Sequence, residues 1–76
     1  MPKLEYEYLV FREKRKIGKT SIWSCCNKRH GEELGEVKWY GAWRQYCYFP
    51  TVQAVYSSGC LDDIAKFMQS LKQKEG

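Results

Sequence analysis

From residue 4 the chain reads LEYEYLVF, with Leu4, Tyr6, Tyr8 and Val10 alternating against Glu5 and Glu7 before Leu9 and Phe11. That period of two predicts a half-buried strand over 4–11. A polar, basic stretch with a glycine break follows at 12–19 and reads as a loop or hairpin turn. TSIWSCCN (20–27) is rich in β-formers and predicts a second strand, and KRHGEE (28–33) is a turn by composition. LGEVKWY (34–40) alternates again, and Gly41-Ala42 fits a two-residue type II′ turn into a further strand. That turn pairs Tyr40 with Trp43, Trp39 with Arg44 and Val37 with Tyr46. One face then holds Val37, Trp39, Arg44, Tyr46 and Tyr48, and the other Glu36, Lys38, Tyr40, Trp43, Gln45, Cys47 and Phe49. The first set is the more apolar and is assigned to the core.

Pro50 closes that strand, and 51–57 is either a short edge strand or an extended link. From Ser58 the period changes. Leu61, Ile64, Ala65, Met68 and Leu71 fall on one stripe of an amphipathic helix with Phe67 beside it, ending near Lys74. Ser58 is the expected N-cap. Asp62 and Asp63 are placed in the first turn and Lys72 and Lys74 near the end, where the helix dipole favours them. The stripe is expected to pack on Tyr8, Val10, Val37, Trp39 and Tyr46. The fold class is therefore α+β: an antiparallel meander of four or five strands with one C-terminal helix packed on one face, forming a single domain over residues 1–76.

The chain of 76 residues is too short for a large enzyme, a repeat array or two domains, and its twelve aromatic residues supply the bulk that a small core needs. No apolar run reaches the length of a membrane span, and MPKLEYEYLV has acids where a secretion signal needs an apolar stretch. Cys25, Cys26, Cys47 and Cys60 show no CxxC spacing. They read as reduced thiols of a cytoplasmic protein, without a metal or other cofactor. Gly18-Lys19-Thr20-Ser21 looks like the end of a phosphate-binding loop, but the position of its first glycine holds Glu13. No Cys–His arrangement has an orienting carboxylate at a recognisable spacing, so the residues point away from an enzyme.

Charge changes the picture more than composition does. Net charge is +4, yet residues 1–29 hold eight Lys/Arg against three acids, and 30–76 hold five against six. Arg12 to Lys19 alone contributes five bases and one acid. Such a cluster attracts polyanions, and six of the twelve residues from Trp39 to Pro50 are aromatic, more than one sheet face can bury. Together they point to a small non-enzymatic binding module. Arg12, Lys14, Arg15, Lys16 and Lys19 are candidates for phosphates, and Tyr40 and Trp43 for stacking on bases, with Arg44 beside these rings as a further nucleic-acid-binding candidate. The alternative is a protein-interaction or inhibitor module that docks through the aromatic face or an edge strand.

Leu34 to Pro50 also resembles the pattern L-G-x-(V/I)-x-W-Y-x-x-W-R-Q-Y-x-F-x-P of a family of small uncharacterised bacterial and phage proteins, with Tyr48 standing where the pattern has Phe. A Cys-Leu-x-Asp-Ile-Ala-x-Phe helix like Cys60–Phe67 follows the sheet in that family. The resemblance, over roughly residues 19–72, implies one compact unit and favours a small binding protein over an enzyme.

Overall fold

A computed structural model describes residues 3–75 of the chain, with side chains to residue 71. Four strands, β1 (Leu9–Ile17), β2 (Thr20–Asn27), β3 (Glu33–Tyr40) and β4 (Gln45–Pro50), pair antiparallel in chain order. One helix, α1 (Ser58–Glu75), follows them. This is the expected α+β meander, with its helix on one face. No helix among the described residues is long and apolar enough to cross a membrane.

The first strand starts at Leu9 rather than Leu4 and is out of phase with the alternation of LEYEYLVF. The chain reverses at Glu7-Tyr8. Tyr6 N–H donates to Leu9 O (2.8 Å), Phe11 N–H to Leu4 O (2.8 Å), and Glu5 bridges Val10. The reversal changes which side chains share a face. Tyr6, Leu9 and Phe11 are buried, whereas Tyr8 is exposed and Val10 lies on the far side of the sheet. Lys28 fastens the returning segment by pairing with Glu5 (3.0 Å) and donating to Tyr6 O (3.1 Å).

The basic stretch is strand, not loop. β1 runs through it to Ile17, with an irregularity between Glu13 and Arg15, and turns at Gly18-Lys19 before Thr20. Gly18 has φ of 58°, the left-handed value that the first central position of a II′ turn requires and that glycine takes without strain. A sheet edge lined with Lys and Arg is a stable arrangement in water because repulsion and hydration deter a further strand from pairing with it.

The II′ turn expected at Gly41-Ala42 is instead a four-residue loop, 41–44. Tyr40 pairs with Gln45, Trp39 with Tyr46, Val37 with Tyr48 and Glu36 with Phe49. Arg44 takes the left-handed conformation (φ 54°) and Gly41 does not. The register differs from the expected one by two residues, and a shift of two keeps every strand residue on its face. Val37, Trp39, Tyr46 and Tyr48 therefore do face α1, while Arg44 and Trp43 belong to the loop. Residues 51–57 add no strand.

The helix is capped by Ser57 rather than Ser58: its Oγ accepts from Cys60 N–H (3.2 Å). Asp62 and Asp63 fall in the second turn, where Asp62 pairs with Lys66 one turn on (3.1 Å). Buried Asp63 accepts the N–H of Tyr8 (2.9 Å) and so holds the N-terminal reversal. The packed stripe is Ile64, Phe67 and Leu71, flanked by Cys60 and Met68. Leu61 and Ala65 are exposed. A ring fixes this rotation: Phe67 stacks on Phe11 at 4.0 Å and 7° and meets Trp23 and Tyr6 edge-on. The Lys72 and Lys74 side chains lie outside those described.

At the other end of the core, Tyr56 Oη donates to Leu34 O (2.6 Å). Tyr48 Oη, 2.6 Å from Tyr56 Oη, therefore donates to it. Cys25 is fully buried beside Tyr48, and burial pushes its thiol up from 9.0 to about 11. Burial, helped by the Tyr56 hydrogen bond, also pushes the Tyr48 phenol far above its ordinary value of 10.0. In each case the folded group keeps its proton at a pH where the unfolded one has lost it. Stability is thus complete below the unfolded values and falls as pH rises. Urea denaturation is expected to give a constant stability from pH 7 to about 8.5, then a loss of ~1.4 kcal/mol per pH unit per group as Cys25, and above pH 10 Tyr48, are drawn in. Cys25→Ala should remove the onset near pH 9 and leave only the loss that begins above pH 10, with a shallower slope there.

Candidate nucleic-acid interface

The sheet has a covered face under α1 and an open face. Register assigns Arg12, Arg15, Ile22, Ser24, Cys26, Glu36, Lys38, Tyr40 and Phe49 to the open one. Its aromatic end is built at the β3–β4 hairpin. Tyr40 meets Trp43 edge-to-face at 5.2 Å and Phe49 at 6.1 Å, and Lys38 Nζ sits 4.6 Å above the Phe49 ring. The four-residue loop, a longer turn than Gly41-Ala42 alone would make, carries Trp43 over Tyr40. Trp43 is 67% exposed, so its indole contributes little to the core.

The basic end lies on β1. Arg12, opposite Ser24, and Arg15, opposite Ile22, are exposed and have no ion-pair or hydrogen-bond partner among the described residues. Lys14 behaves differently. From β1 it crosses above β2 to reach Glu36 (2.6 Å) and Glu33 (3.2 Å) on β3. The bridge explains why Ser24 and Cys26, on the face away from the helix, are nevertheless buried. It is also seen in the protonation of its members. The Glu36 hydrogen bond, then that of Glu33, holds the Lys14 ammonium above its ordinary range, and Lys14 holds the Glu36 carboxyl below its own.

Of the eight candidate residues, four share this face: Arg12, Arg15, Tyr40 and Trp43. Lys14 lies across it but is engaged with acids. Lys16 pairs with Ser21 and so points to the other side, Lys19 is in the turn, and Arg44 lines a groove beside the helix. Lys38 and Phe49 belong to the same surface. The alternation along β3 and β4 already placed them there, but the dense charge of Arg12–Lys19 outweighed a single lysine and a single ring as a sequence signal.

Cys25, Cys26, Cys47 and Cys60 form no disulfide. Among the described residues no three His, Cys, Asp or Glu side chains come close enough to hold a metal ion. Cys60 and His30 line one recess near Glu7, yet no hydrogen bond joins them, and the Cys60 sulfur instead accepts from Ser57 Oγ (3.4 Å). No protein-family model, curated protein or solved structure matches the chain.

Proposed function

We propose that the protein is a small, non-enzymatic binding module that takes single-stranded nucleic acid on the open sheet face. The observation that carries this reading is the sharing of one face by exposed stacking rings and unpaired guanidinium groups. Tyr40 and Trp43 would receive bases, while Arg12, Arg15 and Lys38 would meet phosphates. Tyr40 on β3 lies two inter-strand spacings from the basic strand and Phe49 on β4 three, ~10–14 Å, a distance that a few extended nucleotides can cross. Lys14 has a supporting role here: its single charge offsets part of the negative charge of Glu33 and Glu36, the two carboxylates on this face that would otherwise repel a phosphate backbone more strongly.

The test is a titration with single-stranded and duplex oligonucleotides across a salt series. Binding should favour the single strand and weaken with salt. Replacing both Arg12 and Arg15 with Ala should lower the log–log salt slope by about one unit for each phosphate that is no longer neutralised. Trp43→Ala should cost ~1–3 kcal/mol on the single strand with little change in that slope. Absence of binding to both oligonucleotides at low salt would reject the reading. The alternative, a protein-interaction module, is favoured by one feature: β4 is a sheet edge without a charged residue, the kind of strand that accepts another chain.

A further inference from the structure

On the covered side of the sheet, a groove of about 410 Å³ runs between α1 and the β3–β4 hairpin. Ala65, on the helix side that faces Trp39 and Tyr46, is too small to fill the space beside it. Trp39 and Tyr46 form one corner, their rings 5.5 Å apart and at 87° to each other. Met68 adds a polarisable thioether to the lining. A corner of two perpendicular rings offers one a face and the other an edge, so a flat ring placed there is contacted on two sides.

The polar part of the lining is selective. Among the described residues, Gln45 and Gln69 are neutral, no carboxylate lines the groove, and the one charged group in the lining is Arg44. Among the described residues the Arg44 guanidinium has no ion-pair or hydrogen-bond partner. Its backbone, at φ 54°, is in the region that glycine occupies freely and that a side chain enters only under strain. Strain at a residue whose charge is left uncompensated beside an aromatic recess is the kind of local cost that marks a ligand site. The groove volume falls toward the lower end of the range for small-molecule sites.

From this geometry we infer that the groove binds a small aromatic anion. Its ring packs against Trp39, Tyr46 and Met68, and its carboxylate or phosphate is held by the planar fork of Arg44. This site is separate from the open face and does not depend on nucleic-acid binding.

The experiment is an NMR titration of the full chain, read at the Met68 and Ala65 methyls and the Trp39 indole N–H. The probes are indole-3-acetate, its neutral amide indole-3-acetamide, adenosine monophosphate and adenosine. Shifts should concentrate in the groove, and at least one anion should bind about tenfold or more tightly than its neutral counterpart. The acetate and monophosphate arms tell whether carboxylate or phosphate is preferred. Arg44→Gly relieves the strained backbone, so it should melt at the wild-type temperature or higher while losing the preference for the anion. Ala65→Phe, at an exposed helix position, should fill the groove and abolish binding of every probe. Equal affinity for anion and neutral analogue, an unchanged preference in Arg44→Gly, shifts centred elsewhere, or no binding into the millimolar range would each overturn the inference. Oligonucleotide affinity in Arg44→Gly should stay at the wild-type value, so the two sites fail separately.

Discussion

Phe67→Ala is expected to destabilise the protein by ~3–5 kcal/mol, the range for removing a fully buried aromatic ring and leaving its cavity. Phe67 is inaccessible to solvent and touches three rings at once: stacked on Phe11, and edge-on to Trp23 and Tyr6. These contacts join the helix, the N-terminal reversal and two strands, so there is little freedom for the site to collapse around an alanine. Small domains sit near the lower end of a ~5–15 kcal/mol range of total stability, and the variant should have a large unfolded population at room temperature. Urea denaturation checks this through the shift in midpoint. Leu61→Ala provides the contrast. Leu61 belongs to the stripe read from the sequence but is 55% exposed, and truncating it should change stability by no more than ~0.5 kcal/mol. A larger effect at Leu61 than at Phe67 would mean that the helix is rotated from the position described.

Gly35→Ala should be the most damaging single-methyl change in the sheet. A Cβ at Gly35 would stand 2.5 Å from Tyr48 Oη and 2.7 Å from Phe49 O, closer than real carbon atoms come. The ring of Tyr48 lies across the space that a side chain would need. It cannot move without breaking its hydrogen bond to Tyr56, whose own hydroxyl is committed to Leu34 O. Overpacking of this kind costs ~1–3 kcal/mol, and the displaced hydroxyl adds ~1 kcal/mol or more. Gly41→Ala serves as the control, since nothing lies near its Cβ position and its φ is not positive. Calorimetric melting of the two variants would separate a requirement for Gly35 in particular from a general sensitivity of the hairpin to glycine replacement.

The sheet and helix were legible because each repeats a simple period over enough residues to be read. The faces of β3 and β4 survived a wrong turn for a physical reason: alternation has period two, and the four-residue loop shifts the pairing by two. The phase of the N-terminal segment did not survive. A reversal at Glu7-Tyr8 depends on a hydrogen bond to Asp63, fifty-five residues away, and no local pattern announces it. The rotation of α1 was off for a similar reason. Leu61 and Ala65 fit the apolar stripe as well as any residue, but the stacking of Phe67 on Phe11 decides which side goes down, and that pairing exists only once the sheet is formed. The basic stretch misled in the other direction. Lys and Arg are poor strand formers, yet at a solvated edge paired with β2 they are tolerated.

The candidate surface was half legible. Tyr40 and Trp43 could be assigned to the face away from the core from alternation and the assumed turn. That Lys14 would turn from a phosphate-binding candidate into a bridge to Glu33 and Glu36 could not be seen, because the three residues lie on two different strands with a third between them. Arg44 was misplaced because the longer loop takes it out of the strand and to the edge of the helix-side groove.

The most direct measurement of the central claim is an amide NMR map of the protein with a short single-stranded oligonucleotide at low salt. The open face, if it is the working surface, should give the largest shifts at Arg12, Arg15, Lys38, Tyr40 and Trp43, with α1 nearly unchanged. Shifts centred on α1 or on the outer edge of β4, or no shifts at all, would contradict it.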